Sequence, residues 1–127
     1  MEDLTQFMRT LDELATRIPH YHREAYLCVM AALQATVSRL ERPRHLTGRE
    51  LLDGLRLYAL EQYGPMARTV LNAWGVHSTE DVGEIVFALV DARVLGTTPT
   101  DSQEDFKAYF TFEEAFDRSV RYALPAD

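Results

Sequence analysis

The sequence predicts a mainly α-helical protein of five or six helices, and three observations support this fold class. Apolar residues recur three and four positions apart through most of the chain, which is the period of an amphipathic helix. Residues typical of helix caps and helix ends stand at the boundaries of these patterns. The composition, 46% apolar and 26% charged, is that of an ordinary globular protein. We therefore expect residues 1–127 to form a single compact domain.

The first two helices are predicted on either side of Pro19. Asp3 and Gln6 have the spacing of a helix cap, and an apolar helical pattern follows until about residue 18. The second predicted helix follows this break and ends before Pro43. Its centre, residues 25–33, is an uninterrupted apolar run that is too short to cross a membrane. We expect this helix to be buried on most of its sides.

The third predicted helix has the clearest start, because Thr47 and Glu50 form a Thr-x-x-Glu capping box. Its apolar face continues to Gly64. Pro65 fits the first position of a short fourth helix, where its missing N–H costs nothing. This helix should end at Gly75.

Residues 85–90 could form a buried strand on their β-branched content. The hydroxyl and carboxylate side chains of residues 78–81 indicate a helix start instead, because they satisfy and neutralise the unpaired N–H groups there. We therefore predict a fifth helix over about residues 79–93. The fourth helix, the turn and the fifth helix together form a helix-turn-helix-like unit.

Residues 94–110 are predicted to contain a small β-hairpin, since Phe106, Ala108 and Phe110 follow the alternation of a strand after a polar loop. With this hairpin as a wing, the helix-turn-helix-like unit resembles a winged helix, in which the helix after the turn enters the DNA major groove. The predicted fold is therefore helical with a winged-helix-like element.

The last predicted helix is short, begins at a second capping box formed by Thr111 and Glu114, and includes Phe116. Six of the 13 aromatic residues lie between positions 106 and 122. This segment should therefore pack onto the helices and close the core. Beyond about Tyr122 we expect a fraying tail.

The charge is uneven along the chain. Residues 1–63 carry a net charge of −1, from 8 basic and 9 acidic residues, and residues 64–127 carry −6, from 5 basic and 11 acidic residues. The predicted fifth helix has four acidic residues against Arg93, which is the wrong sign for binding DNA. We therefore expect a protein partner, and nucleic acid is the less favoured alternative. The four acidic residues are Glu80, Asp81, Glu84 and Asp91.

The most basic local patch is a candidate contact for an anion or an acidic partner. It leads into the predicted start of the third helix, where N–H groups and guanidinium groups can hold an anion together. The alternative interpretation is a solvated loop whose arginines pair with nearby carboxylates. The patch, interrupted by Glu41, consists of Arg39, Arg42, Arg44, His45 and Arg49; we call it the arginine patch.

No cofactor, metal site or catalytic residue is predicted. The spacing of His20, His22 and Cys28 matches no closed zinc site, so packing or capping roles are expected for them. The chain lacks a serine elbow, a Gly-rich phosphate loop and a diagnostic histidine-carboxylate pair. A single cysteine forms no intramolecular disulfide, and the acidic N-terminus does not look like a signal peptide, so we expect a cytoplasmic protein.

Several segments between residues 20 and 117 resemble a family of small uncharacterised bacterial proteins associated with planctomycete and verrucomicrobial genomes. Residues 62–67 and Trp74-Gly75 are the most specific of these segments. Arg93-Val94-Leu95 departs from the Gly-Leu-Leu expected there. The family has no assigned activity or cofactor, so the resemblance implies no mechanism. The remaining segments are Ala25-Tyr26, Pro43-Arg44-His45, Glu50-Leu51-Leu52, Ser78-Thr79-Glu80-Asp81, Gly83-Glu84-Ile85-Val86-Phe87, Asp101-Ser102 and Asp105-Phe106.

These observations favour a cytoplasmic protein-interaction or adaptor module without catalytic activity. A winged-helix-like regulator that binds nucleic acid is the alternative, with the arginine patch as its contact. An enzyme with an unrecognised site is a third option, which a deep polar pocket with perturbed carboxylates would support.

Overall fold

The computed structural model describes residues 2–42, 44–95 and 103–118. Within these ranges the prediction of a mainly helical fold is confirmed, and no helix there is long and apolar enough to span a membrane. The α-helices are α1 (Glu2–Arg17), α2 (Arg23–Ser38), α3 (Gly48–Tyr63), α4 (Ala67–Ala73) and α5 (Thr79–Asp91). Short 3₁₀ turns span Gly64–Met66 and Gln103–Phe106, and a π-helical turn spans Glu113–Arg118.

The β-hairpin predicted for residues 94–110 is not found among the described residues, and this prediction is wrong for them. Residues 103–106 form a 3₁₀ turn, and Ala108 has a φ of 46°, which lies outside the β region. Phe106 is buried and Phe110 half-buried, but neither residue lies in a strand. Residues 96–102 and the tail predicted to fray after Tyr122 lie outside the described residues.

The predicted helix starts rest on the local bonds that the sequence implies. Thr47 accepts a hydrogen bond from the Glu50 N–H at 3.1 Å, and Glu50 accepts one from the Thr47 N–H at 2.9 Å, which completes the capping box. Ser78 caps α5 by accepting from the Asp81 N–H at 3.3 Å. In the second capping box, Thr111 accepts a hydrogen bond from the Glu114 N–H at 3.1 Å. α1 begins before Asp3, so a cap at Asp3 is not its start.

Buried side chains from α1 to α5 form one apolar cluster, which residues 103–118 complete. α2 packs most extensively against α3, and α5 packs against α2, α3 and the 3₁₀ turn at residues 103–106. The last described segment therefore belongs to the core, as its aromatic content predicts. It contributes Phe106, Phe112, Ala115 and Phe116.

The turn between α1 and α2 lies directly against the turn between α4 and α5. The His22 N–H donates to the Trp74 carbonyl at 3.0 Å. Gly75 has a φ of 93°, and a Cβ there would overlap the His20 carbonyl oxygen. Glycine is therefore required at this position twice over, for its backbone conformation and for the close approach of the two turns.

Candidate functional site

The arginine patch lies between the end of α2 and the first turn of α3, and its five side chains are exposed. Arg39 forms an ion pair with Glu61 of α3 at 2.9 Å. The Arg49 guanidinium lies over the Tyr109 ring, 5.5 Å from its centroid. Two of the five cations are thus engaged by residues that are distant in the sequence.

Arg44 and Glu50 form the tightest pair in the patch, through two hydrogen bonds of 2.9 and 2.6 Å. These bonds, with the Thr47 N–H, lower the pKa of Glu50 to about 2. The Glu50 carboxylate therefore occupies the helix start that was the candidate anion site. An external anion has to compete with it for the same donors.

Arg42 has no ion pair within the described ranges, and His45 is exposed beside Arg44. Two of the four arginines thus pair with carboxylates, which is the contact that the solvated-loop interpretation expects, and a third contacts an aromatic ring instead. Such exposed pairs add little to stability, so a strongly charged ligand could still displace them. Contact between the patch and a partner stays a prediction.

A second surface, which the sequence analysis did not single out, is a cleft of about 140 Å³ between α5 and the 103–106 turn. Phe106 is 1% exposed and packs onto the backbone of α5 at Gly83, where a Cβ would lie 2.8 Å from the ring. Glu80 and Glu84, one turn apart on α5, form one rim, and Lys107 lines the cleft as well. The cleft therefore has an apolar floor and an acidic rim.

Hydrogen bonds from the first turn of α5 fix residues 106–109, which lie on the opposite side of this cleft. The buried Thr79 hydroxyl donates to the Phe106 carbonyl at 2.6 Å and accepts from the Tyr109 N–H at 3.3 Å. The Glu80 carboxylate accepts from the Ala108 N–H at 3.1 Å. These contacts join residues nearly 30 positions apart, so no local sequence signal announces them.

The buried Tyr21 side chain orients the neighbouring carboxylates. Its hydroxyl contacts Asp81 at 2.7 Å and also Glu84. Burial, together with these two carboxylates, raises the pKa of Tyr21 far above its usual range, so the phenol stays protonated. The other oxygen of Asp81 accepts from the His77 N–H at 2.9 Å. Tyr21 contacts only one carboxylate oxygen of Glu84, so the other oxygen can accept a hydrogen bond from a ligand.

A larger groove of about 430 Å³ lies on the other side of the Ala108 turn. Its polar side chains are largely paired, Arg68 with Asp117 at 2.6 Å and His77 with Asn72 at 3.1 Å. Glu80 lines both this groove and the cleft, so the two are neighbours. The groove is lined by Arg68, Asn72, His77, Ser78, Glu80, Ala108, Phe110, Thr111, Phe112 and Glu113.

The exposed side of α5 is acidic, as the sequence predicts. Glu80, Glu84 and Asp91 are exposed and Asp81 is half-buried, whereas Arg93 lies beyond the end of the helix. The neighbouring side of the helix is covered by the 103–106 turn. A ligand that approaches α5 therefore meets carboxylates. We call Glu80, Asp81, Glu84 and Asp91 the acidic face.

The residues considered as metal ligands have other roles. His22 caps α2 by accepting from the Glu24 N–H at 3.1 Å, and the His20 ring packs edge-on against Tyr21. Burial raises the pKa of the Cys28 thiol to about 11. Within the described ranges, no group of three or more histidine, cysteine or acidic residues is placed to hold a metal ion.

No protein-family model matches the sequence, and comparisons with curated proteins and with solved structures found no significant match. The resemblance to the bacterial family described above therefore stays a prediction. The geometry of the two surfaces is what supports a functional proposal.

Proposed function

We propose that this protein is an interaction module that binds a basic segment of another protein at the acidic face of α5. The observation that carries the proposal is the pairing of an apolar floor, Phe106 over Gly83, with the exposed carboxylates of Glu80 and Glu84. Arginine and lysine side chains have an apolar stem and a cationic head, so they match both parts of this cleft.

The only lysine of the chain supports this choice of ligand. Lys107 lines the same cleft, its side chain is 65% exposed, and its ammonium group lies 3.5 Å from Glu104. A long cationic side chain is therefore already accommodated at the rim. A partner's arginine would compete with Lys107 there, and its bidentate guanidinium would hold the carboxylates better than an ammonium group.

The negative net charge of the whole chain also favours a basic ligand. With most of the net charge of −7 in the second half of the sequence, the field around α5 attracts cations and repels phosphate backbones. Binding that depends on this field should weaken as salt is added, because ions screen the exposed charges.

The proposal is tested by titrating the ¹⁵N-labelled protein with a capped peptide of alternating arginine and leucine. We expect amide shifts at Gly83, Glu84 and Lys107. The double substitution Glu80→Gln with Glu84→Gln should weaken binding at least about tenfold, because it removes both charges. The fold should be kept, since each glutamine oxygen can still accept the internal hydrogen bond that the carboxylate accepts.

A matched control removes two exposed carboxylates elsewhere, Glu13→Gln on α1 and Glu41→Gln in the arginine patch. It makes the same change in net charge and should bind the peptide nearly as well as the unmodified protein. An equal loss of peptide affinity in this control would show that the effect comes from net charge alone. Shifts that bypass the cleft would refute the proposed site.

The alternative, a winged-helix-like regulator that binds nucleic acid, has less support, because the helix after the turn exposes carboxylates and no wing is found in the described residues. Its remaining candidate contact is the arginine patch, where Arg42 forms no ion pair within the described residues. A mobility shift of duplex DNA that is lost in Arg42→Glu would support this alternative.

A further inference from the structure

We propose that Lys107 is a built-in competitor for the cleft beside α5. Its ammonium group moves between Glu104 and the free carboxylate oxygen of Glu84, and so lowers the affinity of the cleft for every basic ligand. This inference rests on the function proposed above, because it concerns the regulation of the same site. It adds an autoinhibitory contact that a partner has to displace.

The backbone on both sides of Lys107 is fixed against α5. The Phe106 carbonyl accepts a hydrogen bond from the Thr79 hydroxyl at 2.6 Å, and the Ala108 N–H donates to the Glu80 carboxylate at 3.1 Å. The base of the Lys107 side chain therefore stays at the rim of the cleft, whichever carboxylate its ammonium group contacts.

The ammonium group of Lys107 is held only loosely. It lies 3.5 Å from a carboxylate oxygen of Glu104, and the two side chains are 65% and 75% exposed. Ion pairs as exposed as this one constrain a side chain little, because water and salt screen the charges. Lysine also has a flexible four-carbon stem, so the ammonium group can leave Glu104 without any change in the backbone.

A second acceptor for the ammonium group lies at the same cleft. Lys107 and Glu84 both line it, and Glu84 is exposed. Tyr21 contacts one carboxylate oxygen of Glu84, and the other oxygen is the acceptor that a basic ligand would use. Lys107 and the ligand therefore compete for the same atom.

Tethering makes this competition effective although the contact itself is weak. A group on a short flexible arm acts at an effective concentration of roughly millimolar order, however dilute the protein is. A ligand binds only the fraction of molecules in which Lys107 has left the carboxylate, so its apparent dissociation constant rises by the inverse of that fraction. For a single exposed ion pair we expect a factor of about two to five.

Titration with the arginine-leucine peptide tests the competition through two substitutions of opposite effect. Lys107→Gln should bind the peptide about two- to fivefold more tightly than the unmodified protein. Lys107→Arg should bind it more weakly, because a tethered guanidinium competes better for a carboxylate than an ammonium group does.

Arg9→Gln is the matched control, since it also removes one exposed positive charge but lies on α1. It should leave the peptide affinity nearly unchanged. If net charge alone were responsible, the two glutamine variants would gain affinity equally and Lys107→Arg would have no effect. That result would overturn the proposal.

A measurement without peptide separates this inference from the function proposed for α5. Reductive methylation with ¹³C-formaldehyde labels the only lysine of the chain, together with the α-amino group, and keeps both positively charged. The methyl signal of Lys107 should shift in Glu84→Gln and in Glu104→Gln, and stay in place in Glu13→Gln, an exposed site on α1. A signal that shifts only in Glu104→Gln would overturn the proposal even if the peptide binds. A shift in Glu84→Gln without any binding of the peptide would support the internal contact and count against the ligand proposed for α5.

Discussion

At the scale of single residues, Arg93 shows where the sequence and the backbone disagree. It follows α5 with a φ of 62°, while the Val94 N–H closes the helix end on the Leu89 carbonyl at 2.9 Å. This is the left-handed conformation that favours glycine at a helix C-terminus. Glycine adopts this conformation without the strain that a Cβ brings, so arginine is the less favourable residue at this position.

We expect Arg93→Gly to raise the free energy of unfolding by roughly 0.5–1 kcal/mol, because relief of the left-handed strain exceeds the extra entropy of glycine in the unfolded chain. Urea denaturation at neutral pH measures the change. Arg93→Ala is the control, since it removes the charge and keeps the strain, and it should give no gain. An equal gain with alanine would assign the effect to charge.

At the scale of elements, the sequence predicts the secondary structure correctly where residues close together in the chain determine it. Thr47 with Glu50 and Ser78 with Asp81 lie three positions apart, and both predicted helix starts are confirmed. The same reasoning assigned the alternation at 106–110 to a strand, because nothing nearby in the sequence shows that Thr79 holds this segment as a turn.

The contacts of the candidate site also fall into two groups, those between residues close in the sequence and those between distant residues. The arginine patch is visible because its residues are close in sequence, and so is the Arg44–Glu50 pair that neutralises part of it. The Arg39–Glu61 pair and the packing of Phe106 onto Gly83 join residues more than 20 positions apart. A sequence without an alignment carries no signal for such pairs, so the cleft beside α5 could not be predicted.

Thr79 of α5 forms hydrogen bonds to the backbone of both Phe106 and Tyr109, so it is the residue to test in this element. Thr79→Val keeps the shape but leaves the Phe106 carbonyl without its partner, and we expect a loss of about 1–3 kcal/mol in the free energy of unfolding. Amide hydrogen exchange should accelerate first at Tyr109. Thr16→Val, at an exposed site on α1, should stay within about 0.5 kcal/mol. Uniform acceleration across all helices would contradict a local role for Thr79.

At the scale of the whole molecule, the described surface separates charge by face. Carboxylates gather on α5, two of the four arginines of the arginine patch pair with carboxylates, and the one charged residue of α4, Arg68, pairs with Asp117. The basic segment proposed as the ligand of α5 is the partner that this distribution of charge would attract.

Closure of the core by the last described segment is also a property of the whole molecule. Removing residues 103–127 deletes the buried rings of Phe106, Phe112 and Phe116. Burial of each ring stabilises by about 1.5–3 kcal/mol, so their sum is comparable with the total stability of roughly 5–15 kcal/mol typical of a domain. We expect the shortened chain to lose its cooperative thermal transition, which circular dichroism would follow.

Phe106→Ala in the full chain should lower the free energy of unfolding by about 3–5 kcal/mol, because it empties the space above Gly83. Lys107→Ala, at an exposed position next to Phe106, should lower it little. Cooperative melting of the shortened chain at an unchanged temperature would mean that α1–α5 form a complete core without these rings, and the cleft beside α5 would then be the edge of a separate appendage.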